Sequence, residues 1–499
     1  MQNGTLLAAV DLGSNSFRLE IGSFDHGQIR RTEYLKETVR QGNGLDADRN
    51  LTVDAMQRGW DCLARFAERL AGFKKTQVRA VATQTLREAR NRDEFLQRAN
   101  KILGFPIDVI PGREEARLIY QGVAHMLPQS DERRLVIDIG GRSTEMIIGK
   151  GLDARAMESY RVGSVAWSMK YFSEGQLTTR AFESAEIAAK AVLEDAVNVY
   201  RSSAWDVAYG SSGTVGAVTD VLTASGRPAG VVTLEGLDWL REYLIKAQSS
   251  DRLKIEGMKE DRRAVIGGGV SVLRAVFDLL GIREMQAALG ALRHGVLYDL
   301  LDREQDQTDL RSASVERLVA KFGADAAQAQ RVSKVARQLF AMATVALPAT
   351  EKDRLQRKVE WAAQLHEIGT HISHSDYHKH GAYILDNADA PGFALPELHR
   401  LSLLVLGHRG KLKKLEADFE DRLFITQLLC LRLAVILSHA RRDPDLKGLQ
   451  LEAGSAPAKL FVLKCRAGWA SAFPQSAHLL REEVVAWQKT SWSLIVSTD

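Results

Sequence analysis

One pattern occurs twice in this chain, and an internal repeat limits the fold more than any composition can. Ala9-Val10-Asp11-Leu12-Gly13-Ser14-Asn15-Ser16 matches Val136-Ile137-Asp138-Ile139-Gly140-Gly141-Arg142-Ser143 in the form apolar, apolar, Asp, apolar, Gly, two small or polar residues, Ser. Each copy follows apolar residues and leads into a second strand-like run, Phe17–Phe24 and Met146–Gly149, so each predicts a β-hairpin with a polar turn. Glycine permits positive φ and close backbone approach, so successive N–H groups can point at a phosphate while Ser or Thr hydroxyls add donors. The Asp ending each first strand then faces that phosphate and can hold Mg²⁺ directly or through water. Two such hairpins face to face make a phosphate clamp.

Two further turns are rich in small residues. Tyr209-Gly210-Ser211-Ser212-Gly213-Thr214 follows strand-like Trp205–Ala208 and leads into a helix over Val215–Leu222, while Gly267-Gly268-Gly269 opens an apolar helix over Val270–Leu280. Either can offer helix-terminal N–H groups to an anion.

Other ways of handling phosphate are absent. The chain has no G-x-x-x-x-G-K-[ST] loop, and no cysteine is followed by an arginine six residues on, which removes a cysteine nucleophile. Water attack remains, with Mg²⁺ neutralising phosphate oxygens and a carboxylate taking the proton. The run Pro106–Leu118 reads as strand, tight turn and helix, with Glu114 and Glu115 in the first helical turn. Acidic residues favour that position through the helix dipole alone. Glu115 lies nearer the face expected to be buried, where desolvation raises a carboxyl towards a useful general base. Arg87, one turn into a helix that begins near Thr83 after strand Val78–Ala82, is the cation placed to meet a trianionic transition state.

At 499 residues the chain has room for about three domains. Strand-like and helix-like segments alternate to about residue 300, and Leu310–Leu446 reads mostly as helix. The polar segment Asp302–Arg311 marks a boundary. Val315, Leu318, Val319 and Phe322 recur at helical spacing before Gly323, a C-cap, while Lys459–Lys464 and SWSLIV supply late strands. Cys62, Cys430 and Cys465 have no pair spacing, which fits a reducing compartment. The N-terminus has no basic leader, and Phe424–Ile436 is too short and too interrupted to span a bilayer. A cytoplasmic protein is expected, with no stable membrane insertion. The net charge of +4 is too small to imply a nucleic-acid partner.

VDLGSNSF at 10–17, ATQTLREA at 82–89, GREEARL at 112–118, VIDIGGRSTE at 136–145, GSSGT at 210–214 and GALRHGVLYDLL at 290–301 together resemble the exopolyphosphatase and guanosine pentaphosphate phosphohydrolase family. WAAQLHEIG at 361–369, HISHSDYHKHGAYIL at 371–385 and PGF at 391–393 resemble the HD-related C-terminal region of its longer members. The resemblance implies an α/β, actin-like, duplicated ribonuclease-H-type fold with lobes at 1–129 and 130–304, and a mainly helical HD-like region with a small β component at 305–499. It implies Mg²⁺ as the metal and a homodimer.

Carried over by position, Glu115 becomes the general base and Asp138 and Glu145 fall at metal-associated positions. Asp11, Ser14, Asn15, Ser16, Gly141, Ser143 and Thr144 fall on the phosphate loops; Ser212, Gly213 and Thr214 add a third, and Arg87 contacts phosphate. Two positions depart from the pattern. Arg142 stands where a third glycine is common, and either adds a phosphate contact or narrows the loop. Arg293-His294-Gly295 replaces the usual Arg-Glu-Gly, a change that matters for packing.

Seven histidines, His366, His371, His374, His378, His380, His399 and His408, fall in one stretch, but the pair His366-Glu367 lacks the His-Asp order of an HD metal site. The expectation there is a hold on a distal length of polyphosphate, with Arg409, Lys411, Lys413 and Lys414 as a basic rim. The leading functional expectation is a processive exopolyphosphatase releasing orthophosphate. Hydrolysis of the 5′ γ-phosphate of pppGpp is the alternative, and a non-catalytic sensor of polyphosphate or (p)ppGpp is a third.

Overall fold

The computed structural model describes residues 2–26, 28–128, 130–303, 310–345, 347–388, 390–454 and 458–497. It divides into two compact units, Met1–Asp309 and Leu310–Asp499. Most of the expected boundary segment, 304–309, lies outside the described residues.

The first unit is duplicated. Its first sheet contains β1 (Leu6–Leu12), β2 (Phe17–Asp25), β3 (Gln28–Glu37), β4 (Val78–Ala82) and β5 (Ile107–Val109) in the order β3-β2-β1-β4-β5. β2 runs antiparallel to β1 and β3, while β4 and β5 are parallel additions. The second sheet contains β6 (Arg133–Ile139), β7 (Thr144–Lys150), β8 (Asp153–Tyr160), β9 (Val207–Ser211), β10 (Val231–Thr233) and β11 (Glu284–Ala287). Its order, β10-β11-β9-β6-β7-β8, repeats the first with β10 added at one edge. The central strands β1 and β6 are nearly continuous apolar runs, as strands covered on both faces must be. β3 is an edge strand rich in charge, which blocks further pairing.

Two helices lie between the sheets. Leu118, Ile119, Tyr120 and Val123 of the helix Gly112–His125, and Val296 and Leu297 of the helix Leu292–Arg303, share one core with Leu7, Ala9 and Val81 of the first sheet and Val136, Ile147 and Tyr209 of the second. The helices cross on glycine. A Cβ at Gly295 would strike the Leu118 carbonyl oxygen, and one at Gly122 would strike that of Ala291. The backbones approach as closely as they do because both positions lack a side chain, and this fixes the helix that carries Glu115.

The Gly267–Gly269 run differs from the expected anion-binding turn. It lies inside the helix Ile266–Leu280, where a Cβ at Gly268 would sit 2.5 Å from the Ser164 carbonyl oxygen and the Ser168 nitrogen. These glycines let that helix pack on the helix Ser164–Tyr171.

Among its described residues the second unit is mainly helical between Leu310 and Leu437, with a small sheet of β12 (Gln450–Ala453), β13 (Leu460–Lys464) and β14 (Ser493–Ser497) in sequential order. Val315 and Leu318 enter its core, and Gly323 has the positive φ of a helix terminator. Among the described residues no helix is long and apolar enough to cross a membrane, and no group of three or more His, Cys, Asp or Glu side chains is arranged to hold a metal. His366 is buried, its Nδ1 bonded to the Ala363 carbonyl, and Glu367 is paired with Arg441.

Candidate active site

The two repeated hairpins meet. A Cβ on Gly141 would lie 3.1 Å from Ser14 Cβ and 3.7 Å from the Asn15 nitrogen, so the second turn rests against the first. Their backbones match: a Cβ on Gly13 would lie 3.0 Å from the Ser16 carbonyl oxygen, and one on Gly140 3.1 Å from that of Ser143. Around them opens a cleft of about 300 Å³, lined among others by Asp11, Ser14, Asn15, Ser16, Glu115, Asp138, Gly141, Ser143, Ser212, Gly213 and Thr214. Asn15 Nδ2 and Ser16 Oγ are buried there with no protein partner. Two unspent donors on a glycine-rich turn suit an anionic oxygen ligand.

Alike in backbone, the hairpins are opposite in charge. In register, Asp11 faces Arg18 across β1 and β2, and Asp138 faces Glu145 across β6 and β7. Arg18 Nη1 donates to Asp11 Oδ2 at 3.1 Å. The first lobe therefore sets a cation beside its aspartate in the cleft, and the second sets Asp138 in the cleft with another acid, Glu145, buried at its back. Burial pushes Asp138 up to about 6, against the pull of the Ser211 hydroxyl and Arg18. Burial, with Glu115 and Asp138 nearby, holds the Glu145 carboxyl well above the usual range, although Ser159 Oγ donates to it at 2.7 Å. Glu145 sits behind the cleft wall.

Glu115 is selected over Glu114, but not because it is the more buried. Glu114 is 1% exposed and Glu115 7%, reversing the expected order. Access and partners separate them. Arg117 donates to both Glu114 oxygens at 2.8 Å, whereas Glu115 opens into the cleft. Burial raises the Glu115 pKa, opposed by Arg87 and reinforced by Asp11 and Asp138.

Arg87 and Arg142 do not line the cleft as expected for phosphate contacts. Arg87 donates to Gln84 Oε1, the Ile110 carbonyl and, at 2.7 Å, Glu115 Oε2, so its guanidinium is spent on holding that carboxylate. Arg142 reaches back across the lobes to Glu88 Oε2 at 2.8 Å and the Gly42 carbonyl at 3.2 Å, fastening one hairpin to the other lobe. Thr144 is fully buried and donates to the Val162 carbonyl at 2.6 Å.

The cations that do line the cleft are Arg18, Lys36, Arg262 and Arg293. Register offered a signal for Arg18, which stands opposite Asp11 in the hairpin. Arg293 lies in the GALRHG segment, where sequence suggested only packing; its Nη1 is 3.8 Å from Asp11 Oδ2. Gly213 admits Arg262, whose guanidinium occupies the place a Cβ would take. Burial and the nearby Arg18 lower the Arg262 pKa, a repulsion that a bound anion would relieve.

These positions make a pH prediction with a definite sign. A base that must be deprotonated loses activity as pH falls through its pKa, so the acid limb of kcat/KM is expected above the ordinary carboxylate range. Arg87 favours the charged form, so Arg87→Gln should move that limb to higher pH and reduce kcat. A limb unmoved in the variant would contradict the assignment of Arg87 to Glu115.

A cleft between duplicated α/β lobes, with a buried carboxylate facing unspent donors and cations, defines a phosphate-handling hydrolase. The Ppx/GppA phosphatase family profile matches residues 21–304, and the profile for Ppx/GppA phosphatase domain III matches 310–484. The chain belongs to the Ppx/GppA phosphatase family. It is 40% identical, over 444 residues, to proteins of Vibrio atlanticus and Vibrio cholerae named guanosine-5′-triphosphate,3′-diphosphate pyrophosphatase, covering 89% of this chain and 88% of each relative. Among solved structures, an exopolyphosphatase from Cytophaga hutchinsonii is 26% identical with a TM-score of 0.54, over 60% of this chain and 98% of that one. The Aquifex aeolicus Ppx/GppA family member shares the fold at 24% identity and TM-score 0.51, over 60% and 99%.

Proposed function

We propose that this hydrolase removes the terminal 5′ phosphate of guanosine-5′-triphosphate,3′-diphosphate by water attack, with Glu115 as the general base. The unspent donors of Asn15 and Ser16 at the meeting of the two hairpins carry the reading. They face a cleft whose cations suit a polyanion and whose buried carboxylate suits proton abstraction. The nucleotide is preferred to inorganic polyphosphate because the 40% identical relatives, matched over 89% of this chain, are named for it. That reverses the order reached from sequence. Polyphosphate is the second reading, favoured by the similar solved structure named an exopolyphosphatase.

The carboxylates fit a divalent cation. Asp138 and Glu145 are paired in register, and both are raised by burial and by neighbouring acids, a cost that a cation would offset. Mg²⁺ commonly takes one or two carboxylates and completes its shell with water and phosphate oxygens. Asp138 and Glu145 would hold it, and its chemistry would be to neutralise phosphate oxygen charge. The chain's own groups do the rest. The paired turns bind the terminal phosphate, Arg18, Arg262 and Arg293 meet its negative charge, and Arg87 orients Glu115. Glu115 takes the proton from water as the water oxygen attacks the terminal phosphorus; the bond from that phosphorus to the bridging oxygen breaks, and guanosine-5′-diphosphate,3′-diphosphate leaves as orthophosphate forms.

Orthophosphate release from guanosine-5′-triphosphate,3′-diphosphate and from long-chain polyphosphate, measured side by side as kcat/KM, tests the preference. A larger value for the nucleotide is expected; a larger value for polyphosphate would overturn it.

A further inference from the structure

A second cavity, of about 310 Å³, adjoins the phosphate cleft and has no part in the chemistry above. Glu20, Ile29, Arg31, Met126, Leu289, His294, Leu297 and Tyr298 line it, and Leu289 is common to both cavities. One face of β2 and β3 joins them. Arg18, opposite Lys36, and Glu20, opposite Tyr34, lie along it. The bulge at Ile21/Gly22 leaves Thr32 with no residue opposite it on β2, so that Arg31, opposite Gly22, turns onto the same face as Tyr34 instead of away from it. The Arg31 guanidinium lies 5.7 Å from the centre of the Tyr34 ring, and that of Arg293, which lines the phosphate cleft, 5.1 Å from the same ring.

The floor of this cavity is polar and fixed. The Ala291 backbone N–H donates to His294 Nδ1 at 3.2 Å, which leaves the proton on Nε2, 3.1 Å from Glu20 Oε1. Arg293 Nε donates to Glu20 Oε2 at 3.2 Å. His294, where sequence suggested a change in packing, thus lines this cavity and shares Glu20 with Arg293 of the phosphate cleft. The walls are apolar, and two of them face water: Leu289 is 86% exposed and Met126 39%. Two exposed apolar side chains beside a polyanion site, with a guanidinium at their edge, call for a ligand that is flat and apolar on its faces and polar on its rim.

We propose that this cavity takes the nucleobase of the substrate whose phosphates lie in the cleft, with Leu289 and Met126 against its face and Arg31 donating to its acceptor edge. The inference deepens the nucleotide reading and rests on it for the identity of the base. Arginine pairs well with the O6 and N7 acceptors of guanine. Inorganic polyphosphate has nothing to place there, so the cavity separates the two substrates by binding alone.

The test is the affinity of guanosine-5′-diphosphate,3′-diphosphate, a nucleotide lacking the terminal phosphate, measured by calorimetry on the full chain and on Met126→Ala and Arg31→Ala, two positions that line only the second cavity. Hydrolysis of polyphosphate by the same proteins reports whether the phosphate cleft is intact. Each variant should bind the nucleotide ~10-fold more weakly or worse, with polyphosphate turnover within about twofold of wild type. Unchanged affinity, or an equal loss on both ligands, would overturn the inference even if the wild type hydrolyses the nucleotide. Conversely, Met126-dependent binding without nucleotide hydrolysis would support the base cavity and refute the proposed reaction. A wild-type chain that does not bind the nucleotide would overturn both.

Discussion

Glu115→Gln is expected to lower kcat by on the order of 10²–10⁴-fold, the usual contribution of a positioned general base, while substrate affinity changes little. Glutamine keeps the size and the bond to Arg87 Nη1, now 2.7 Å from Glu115 Oε2, but cannot take a proton from water. The loss should fall on kcat because the cleft donors that hold phosphate, Asn15, Ser16 and the lining arginines, are untouched. Stopped-flow phosphate release paired with equilibrium binding separates the two quantities. A variant with wild-type turnover would remove Glu115 from the mechanism.

The second large effect is on stability. Asp299→Ala should destabilise the protein by about 3–5 kcal/mol, because it breaks a buried charge network from one side. Asp299 is paired with both Arg79 and Arg117, and Arg117 in turn holds Glu114 at 2.8 Å, with all four groups shielded by the two helices and the first sheet. Removing the aspartate takes a carboxylate away from Arg79 and Arg117 in a largely buried site where Glu114 is their other acidic neighbour. A fall in Tm of roughly 5–8 °C follows for a unit of this size. Activity should fall with it, since Glu114 precedes Glu115 and its tether orients the first turn of that helix. Asp299→Asn, which keeps hydrogen-bonding capacity, should recover part of both losses; a melting point equal to wild type in Asp299→Ala would show that the network contributes nothing.

Local chemistry made much of this legible in the sequence. The hairpins were visible because Gly, Ser and Asn at fixed offsets after a buried Asp have few other uses, and β4 matches the expected Val78–Ala82 because a short apolar run was bounded by polar residues. Glu115 was preferred to Glu114 on a reason that fails: which of two adjacent glutamates meets the cleft depends on Arg117 and Asp299, and Asp299 is distant in sequence. Arg87 and Arg142 were assigned to phosphate because a positive side chain near a phosphate loop suggests it. Their partners, Glu115 and Glu88, come from other segments, and nothing local announces them. Arg262 and the cleft role of Arg293 were illegible for the same reason: a short helix after residue 259 and the helix Leu292–Arg303 meet the first sheet only when both sheets have formed, whereas Arg18 had a local signal in its register opposite Asp11. The glycines at 267–269 show the converse, where a motif that reads as a phosphate turn serves close helix packing.

The account makes the terminal phosphorus, lodged between two copies of one turn, the atom that water attacks. Hydrolysis of guanosine-5′-triphosphate,3′-diphosphate in ¹⁸O-labelled water, followed by mass spectrometry of the products, reads that directly. The label should appear only in released orthophosphate. Label in the nucleotide product, or release of pyrophosphate in place of orthophosphate, would place the attack at a different phosphorus and contradict the site described.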